Sequence, residues 1–309
     1  MAPPRLRTWL ERALADYRAF VQQQTRAQAV LVVFGTVLVA SGLAHVAVWL
    51  AAGLPSLEGP VTWRKPIVFG VSTGVLTWSL AWIIGWLPAT RALGRSVRLY
   101  VILMSAEIAL IDMQQWRGVA SHFNATTALD GIIFSAMGAL ILGVAAIIAG
   151  WTVALFRRPG VVPAALSAAR AAMVFLNAGN LLGIFLAVWG GSQLAAGQVP
   201  NVFGGAGQLK IPHAVALHAV QVLPLIAWLL VISPAAEHER RRAVGHATFG
   251  YGGVLAFTLL QTFGGRAPLD VTVLSTAVLV VGSALLAWPL LVALRAGRTA
   301  PDSAAGASV

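Results

Sequence analysis

Apolar residues run along this chain in long unbroken blocks, at 29–53, 66–88, 99–119, 128–156, 167–193, 212–233, 246–264 and 270–294. Each is close to the ~20 residues that a helix needs to cross about 30 Å of hydrocarbon. The blocks are continuous and rich in Leu, Ala and Val, without the two-residue alternation of outer-membrane strands, so they predict helices and not a barrel. The expected fold class is all-α, a polytopic transmembrane helix bundle of eight spans. Residues 1–28 precede the first block as an Arg-bearing amphipathic segment, and 295–309 follow the last as a disordered cytoplasmic tail. The first segment lacks the apolar core of a signal peptide, so the first span is expected to act as an uncleaved anchor.

Composition sharpens this picture. Apolar residues make up 58% of the chain, charged residues only 10%, and mean hydropathy is +0.81. A net charge of +11 would suggest nucleic acid in a soluble protein, but here the cations follow topology. With the N-terminus inside, 16 of the 21 Lys and Arg fall on the cytoplasmic side, leaving Arg64, Lys65, Arg117, Lys210 and Arg266 outside. Both termini are therefore expected in the cytoplasm of a cell whose inner, plasma membrane holds the protein. The lipid bilayer is the expected partner, and nucleic acid is not. The absence of cysteine rules out disulfides, thiolate metal sites and covalently attached c-type haem.

Internal echoes suggest a duplication. "HVAVWLAAG" ends the first span and "FLAVWGGSQ" the fifth, with Trp49 and Trp189 offset by 140 residues. "TALDGIIFS" and "APLDVTVLS" open the fourth and eighth spans, and Asp130 and Asp270 share the same offset of 140. "WRKPI" and "QLKIPH" place a cation and a proline before the second and sixth spans. Spans 29–156 and 157–294 thus read as two four-helix halves, parallel because each has an even number of spans.

The third span poses the functional question, because "SAEIALIDMQQWRGVASHFNATTALDG" carries many polar groups in and beside an apolar block. Glu107 lies ten residues before Arg117, hence about 15 Å deep. Asp112 lies halfway out, His45 one turn below Trp49, and His218 about two turns inside the sixth span. Groups at such depth cost a few kcal/mol each unless paired, protonated or hydrated. Glu107, Asp112, Arg117 and Asp130 are the candidate catalytic residues. His45, His218, Gln221 and Lys210 are candidates for binding a cofactor, and His122 and His213 for a metal. Arg117 is closer along the helix to Asp112 than to Glu107, so Asp112 is the expected ionised acid. His218 and Gln221, three apart on one face, are expected to supply the wall of an outward-facing cavity opposite the third span. His238 and His246 belong to the cytoplasmic side as surface residues.

Three chemistries fit this set. The first is a haem- or transition-metal-binding redox protein, in which histidines on different spans ligate the metal. The second is a proton-coupled carrier of a small molecule, with Glu107 and Asp112 exchanging protons and Arg117 or Lys210 meeting an anion. The third is an intramembrane hydrolase or transferase acting on a lipid. His213 and His218 are about 140° apart on an ideal helix and make a poor ligand pair. Ser121 adjoins His122, which by itself does not make a nucleophile and base.

In length and four-plus-four layout the chain resembles haem A synthase, although that family's histidine pattern is missing. The stretches "RGVASHFN", "LDGIIFSAMG", "KIPHAVALHAVQ" and "WRKPI" resemble an uncharacterised family of bacterial polytopic membrane proteins. That resemblance implies a multi-span membrane protein and no activity.

Overall fold

The computed structural model describes residues 4–198, 200 and 205–299. The described residues form helices only: α1 (Pro4–Gln23), α2 (Arg26–Ala51), α3 (Arg64–Ile84), α4 (Arg91–Trp116), α5 (Ala128–Phe156), α6 (Ala164–Ala195), α7 (Lys210–Ile232), α8 (Glu237–Phe263) and α9 (Val273–Thr299). Seven of them, α2, α3 and α5 to α9, are long and apolar enough to cross a membrane. The chain is by these helices a multi-pass integral membrane protein. Helix α4 is as long as α2, at 26 residues, but Arg91, Arg95, Arg98, Glu107 and Asp112 dilute its hydropathy.

Three helices outrun their apolar blocks by five residues or more. Helix α4 begins at Arg91, where Thr90 Oγ1 accepts from the amide of Leu93 at 3.1 Å. Helix α8 begins at Glu237, whose neighbour Glu239 accepts from the Ala236 amide at 3.0 Å. Charged first turns are good helix when capped; apolar blocks mark only what lies in lipid. Helix α9 continues to Thr299, so 295–299 of the expected tail are helical, while 300–309 lie outside the described residues.

Glycine draws the helices together. A Cβ on Gly70 would lie 2.7 Å from Gly42 Cα, and one on Gly74 would lie 2.6 Å from Gly35 O. Helices α2 and α3 therefore touch backbone to backbone, the small-residue packing that lets helices associate where no hydrophobic force operates between them. Gly250, Gly253 and Gly282 do the same for α8 and α9. Polar side chains complete the joins: Thr77 meets Tyr100 at 3.0 Å between α3 and α4, Trp151 donates to Ser96 at 2.9 Å between α5 and α4, and Asn177 donates to Thr152 at 2.8 Å between α6 and α5. The N-terminal α1 is tied to α7 by Trp228 donating to Asp16 at 2.7 Å and Arg12 donating to Ile232 O at 3.2 Å.

Candidate functional site

The polar residues of α4 sort by helical face. Leu93, Val97, Tyr100, Met104, Glu107, Ile108, Ile111 and Gln114 recur every three or four residues and are all buried, so Glu107 and Gln114 stand on the stripe that faces the protein. Glu107 is 1% exposed and Gln114 fully covered.

The end of α4 is clamped to the start of α5. Asp130 Oδ1 accepts from Arg117 at 2.9 Å and from Gln114 at 3.1 Å, and Oδ2 accepts from Thr127 at 2.7 Å and Thr126 at 3.3 Å. Arg117 also donates to Gln114 Oε1. Thr127 in turn caps α5 by accepting from the Asp130 amide at 3.1 Å. Asn124 accepts from Thr126 Oγ1 at 2.7 Å and donates to Ala120 O at 2.9 Å. Both oxygens of Asp130 are engaged, and Arg117 is its ion-pair partner. This corrects the expectation that Arg117 holds Asp112 charged: the chain folds back at Gly118, φ +69°, and brings the capping acid of the next helix closer than the acid on Arg117's own helix.

The clamped loop presents Ser121 and His122 to the bundle. Lys65 Nζ, from the first turn of α3, donates to Ser121 Oγ at 3.2 Å. Ser121 Oγ lies 2.9 Å from His122 Nδ1, and His122 Nε2 lies 4.0 Å from Glu107 Oε1. With the lysine donating, the serine hydroxyl donates to Nδ1, and the remaining N–H of a neutral imidazole sits on Nε2 facing the carboxyl. Phe69 and Phe134 flank the ring, with centroids at 6.0 and 6.2 Å. Burial, with the charge of Lys65 beside it, pushes the His122 imidazole down to about 3, so it is neutral in the folded protein. Glu107 Oε2 is buried without a hydrogen-bond partner.

Asp112 sits five residues further along, about 140° around the helix, and belongs to a second couple. It interacts with His45, and its Oδ1 is likewise buried and unpartnered. His45 Nδ1 meets Ser41 O at 2.9 Å, and its Nε2 accepts from Trp116 at 3.3 Å. Trp63 and Trp116 box the ring, their own centroids 5.1 Å apart. Glu107 and Asp112 thus take different imidazoles on different faces of α4, where a single shared cavity was expected.

The candidate residues of α7 lie elsewhere. His213 turns to α6, its Nδ1 2.7 Å from Gly179 O and its ring against Gly183, whose missing side chain makes room for it. His218 is exposed, and its Nδ1 pairs with Gln221 Oε1 at 3.2 Å along its own helix. Neither His218 nor Gln221 forms the wall expected opposite α4. The reason is angular: the buried face of α7, Ala216, Ala219, Val220 and Leu223, excludes position 218. Lys210, by contrast, is close enough to Lys65 to act on it as a like charge, as is Arg64. His238 and His246 are both exposed.

The donor set does not converge on a metal. Among the described residues no three of His, Asp or Glu gather in a group able to hold an ion. Both ring nitrogens of His45 are engaged, and the other three candidate histidines, His122, His213 and His218, point at Ser121, Gly179 and Gln221. Sequence reasoning missed Lys65 and set aside Ser121, although a lysine in a helix's first turn and a Ser-His pair were both visible. No protein-family model, curated protein or solved structure matches the chain.

The neutral His122 has a consequence for acid stability. Between pH about 6.5, its ordinary value, and about 3, the unfolded chain binds a proton that the folded chain does not, so this residue lowers stability as pH falls through that window. His122→Asn should flatten the decline of the unfolding midpoint measured in detergent from pH 6.5 downward. An unchanged slope would contradict the burial of the ring.

Proposed function

We propose that this protein is a proton-coupled membrane carrier, with Glu107 and Asp112 as the groups that take up and release protons. The observation that carries the reading is that each acid has a buried oxygen with no hydrogen-bond partner and stands beside a histidine. A carboxylate in that position is unstable unless it is protonated or meets a cation. A redox reading lacks two histidines facing one another with ring nitrogens available. A hydrolase reading has Ser121 beside His122, but the serine is 3% exposed and its oxygen already accepts from Lys65.

In this reading α4 is an eighth span, its buried stripe turned to the bundle and its ionisable residues shielded from lipid. The architecture supports two parallel halves. Helix α2 lies along α3 as α6 lies along α7, and α3 meets α7 between them. Gln114 donates to Asp130 Oδ1 at the start of α5, and Gln261 donates to Asp270 O ahead of α9, at 3.1 and 2.7 Å. Parallel halves around a central contact suit a carrier that rocks between two openings. Pro224 and Pro289 inside α7 and α9 remove backbone bonds at places where such helices bend.

The Arg-rich ends of α1, α4, α8 and α9 belong in the cytoplasm by the distribution of positive charge, and with them both termini. This charge bias, with the likeness of "RGVASHFN" and "KIPHAVALHAVQ" to bacterial polytopic membrane proteins, supports a place in a bacterial plasma membrane. Cysteines introduced at Gly264 should react with an impermeant reagent added to intact cells, and those at Glu239 only after permeabilisation. Labelling of Glu239 in intact cells would overturn this orientation.

Transport itself is tested in proteoliposomes loaded with a pH-sensitive dye and challenged with a panel of small soluble anions, cations and neutral solutes. At least one solute should change lumenal pH, roughly 100-fold more slowly in Glu107→Gln and unchanged in His238→Gln. Traces identical for wild type and Glu107→Gln across the panel would contradict the proposal.

A further inference from the structure

Helix α1 lies against the ends of the spans and not among them. Its Asp16 accepts from Trp228 at 2.7 Å and its Arg12 donates to Ile232 O at 3.2 Å, both in the last two turns of α7. Trp9 reaches the end of α9, where a Cβ on Gly297 would lie 3.2 Å from the indole nitrogen. Only Gln24 and Thr25 separate α1 from α2, which Thr25 caps by accepting from the Gln28 amide at 3.3 Å. The start of α2 and the ends of α7 and α9 are ends of helices long and apolar enough to cross the membrane. Helix α1 is therefore held at the membrane surface where those helices end.

At about 100° per residue, the side chains of α1 sort onto three faces. Trp9, Arg12 and Asp16 form the face docked on α7 and α9. Leu10, Leu14, Tyr17 and Val21 follow one another at helical spacing within an arc of about 60°, centred roughly 140° from the docked face. No part of the protein covers this stripe, whose members are 43 to 63% exposed. Arg18 and Gln22, also exposed, form the third face, about 90° beyond the stripe and away from the docked side.

Three faces suit three surroundings: protein, lipid and water. A helix with an apolar stripe beside a cationic polar face lies in the plane of the interface, its stripe buried where headgroups meet acyl chains. The lipid-facing surface of the spans reaches the same level, since Leu290, Leu291 and Leu294 near this end of α9 are exposed too. Tyr17 fits that boundary, with an apolar ring and a polar tip. Arg18 borders the stripe, where a long cationic side chain reaches the phosphates of the same lipids.

We propose that Leu10, Leu14, Tyr17 and Val21 of α1 form a lipid-binding surface sunk into the leaflet beside α7 and α9, with Arg18 directed at lipid phosphates. Such a contact does not depend on transport, and it is measured without it.

The chain has no cysteine, so single spin labels can be attached to the full-length protein without background. Leu10→Cys, Leu14→Cys, Val21→Cys, Arg18→Cys and Gln22→Cys are labelled and reconstituted in vesicles of phosphatidylcholine and phosphatidylglycerol. All five positions are exposed, so none of these changes opens the core. Collisions with oxygen, which concentrates among acyl chains, are compared with collisions with an uncharged nickel chelate, which stays in water. A label at Val281, exposed in the middle of α9, gives the lipid reference. Labels at 10, 14 and 21 should favour oxygen, less strongly than at 281, and labels at 18 and 22 should favour nickel. In Arg18→Gln the label at 14 should lose part of its preference for oxygen; an unchanged ratio would remove the arginine from the contact. Preference for nickel at 10, 14 and 21 would overturn the surface. So would exclusion of both reagents from those positions, or dipolar broadening between labels at 14 on two chains, either of which would give the stripe to protein.

Discussion

Carboxyl groups inside a lipid-embedded bundle set the constraint on which this structure turns. Water is scarce in its covered interior, so each polar atom on the buried face of α4 needs a partner from the protein or an altered charge state. The protein answers in two ways. At the end of α4 it completes the network: Asp130, Arg117, Gln114 and the threonines before α5 satisfy one another and fix the loop. One to three turns back along α4 from Arg117 it leaves the network open, with one oxygen of Glu107 and one of Asp112 unpartnered beside His122 and His45.

That contrast separates position from chemistry. The clamp holds the loop at a defined place, and the loop carries Ser121 and His122 to within reach of Lys65 and Glu107. A closed network resists change; an open one answers to protons and ions.

Much of the architecture was legible in the sequence, because about 20 apolar residues in a row have one stable fate in a membrane. Helix ends were less so, since capping at Thr90 and Glu239 extends helix into charged sequence that apolar blocks cannot mark. Glu107 and Gln114, seven residues apart, could be placed on one face from spacing alone. Pairing across helices could not. Arg117 lies nearer to Asp112 along one helix, yet the turn at Gly118 delivers Asp130 to it. His218 looked like a wall residue by depth, but depth does not fix rotation, and the buried face of α7 turns it outward.

The central claim is that Glu107 is a buried carboxyl that exchanges a proton through His122. Infrared difference spectroscopy of the protein reconstituted in lipid, recorded across a pH titration, reads such a group directly. The account predicts a carboxyl stretching band that comes and goes with pH, disappears in Glu107→Gln and titrates at a different pH in His122→Asn. A spectrum of Glu107→Gln indistinguishable from that of the wild type would contradict it.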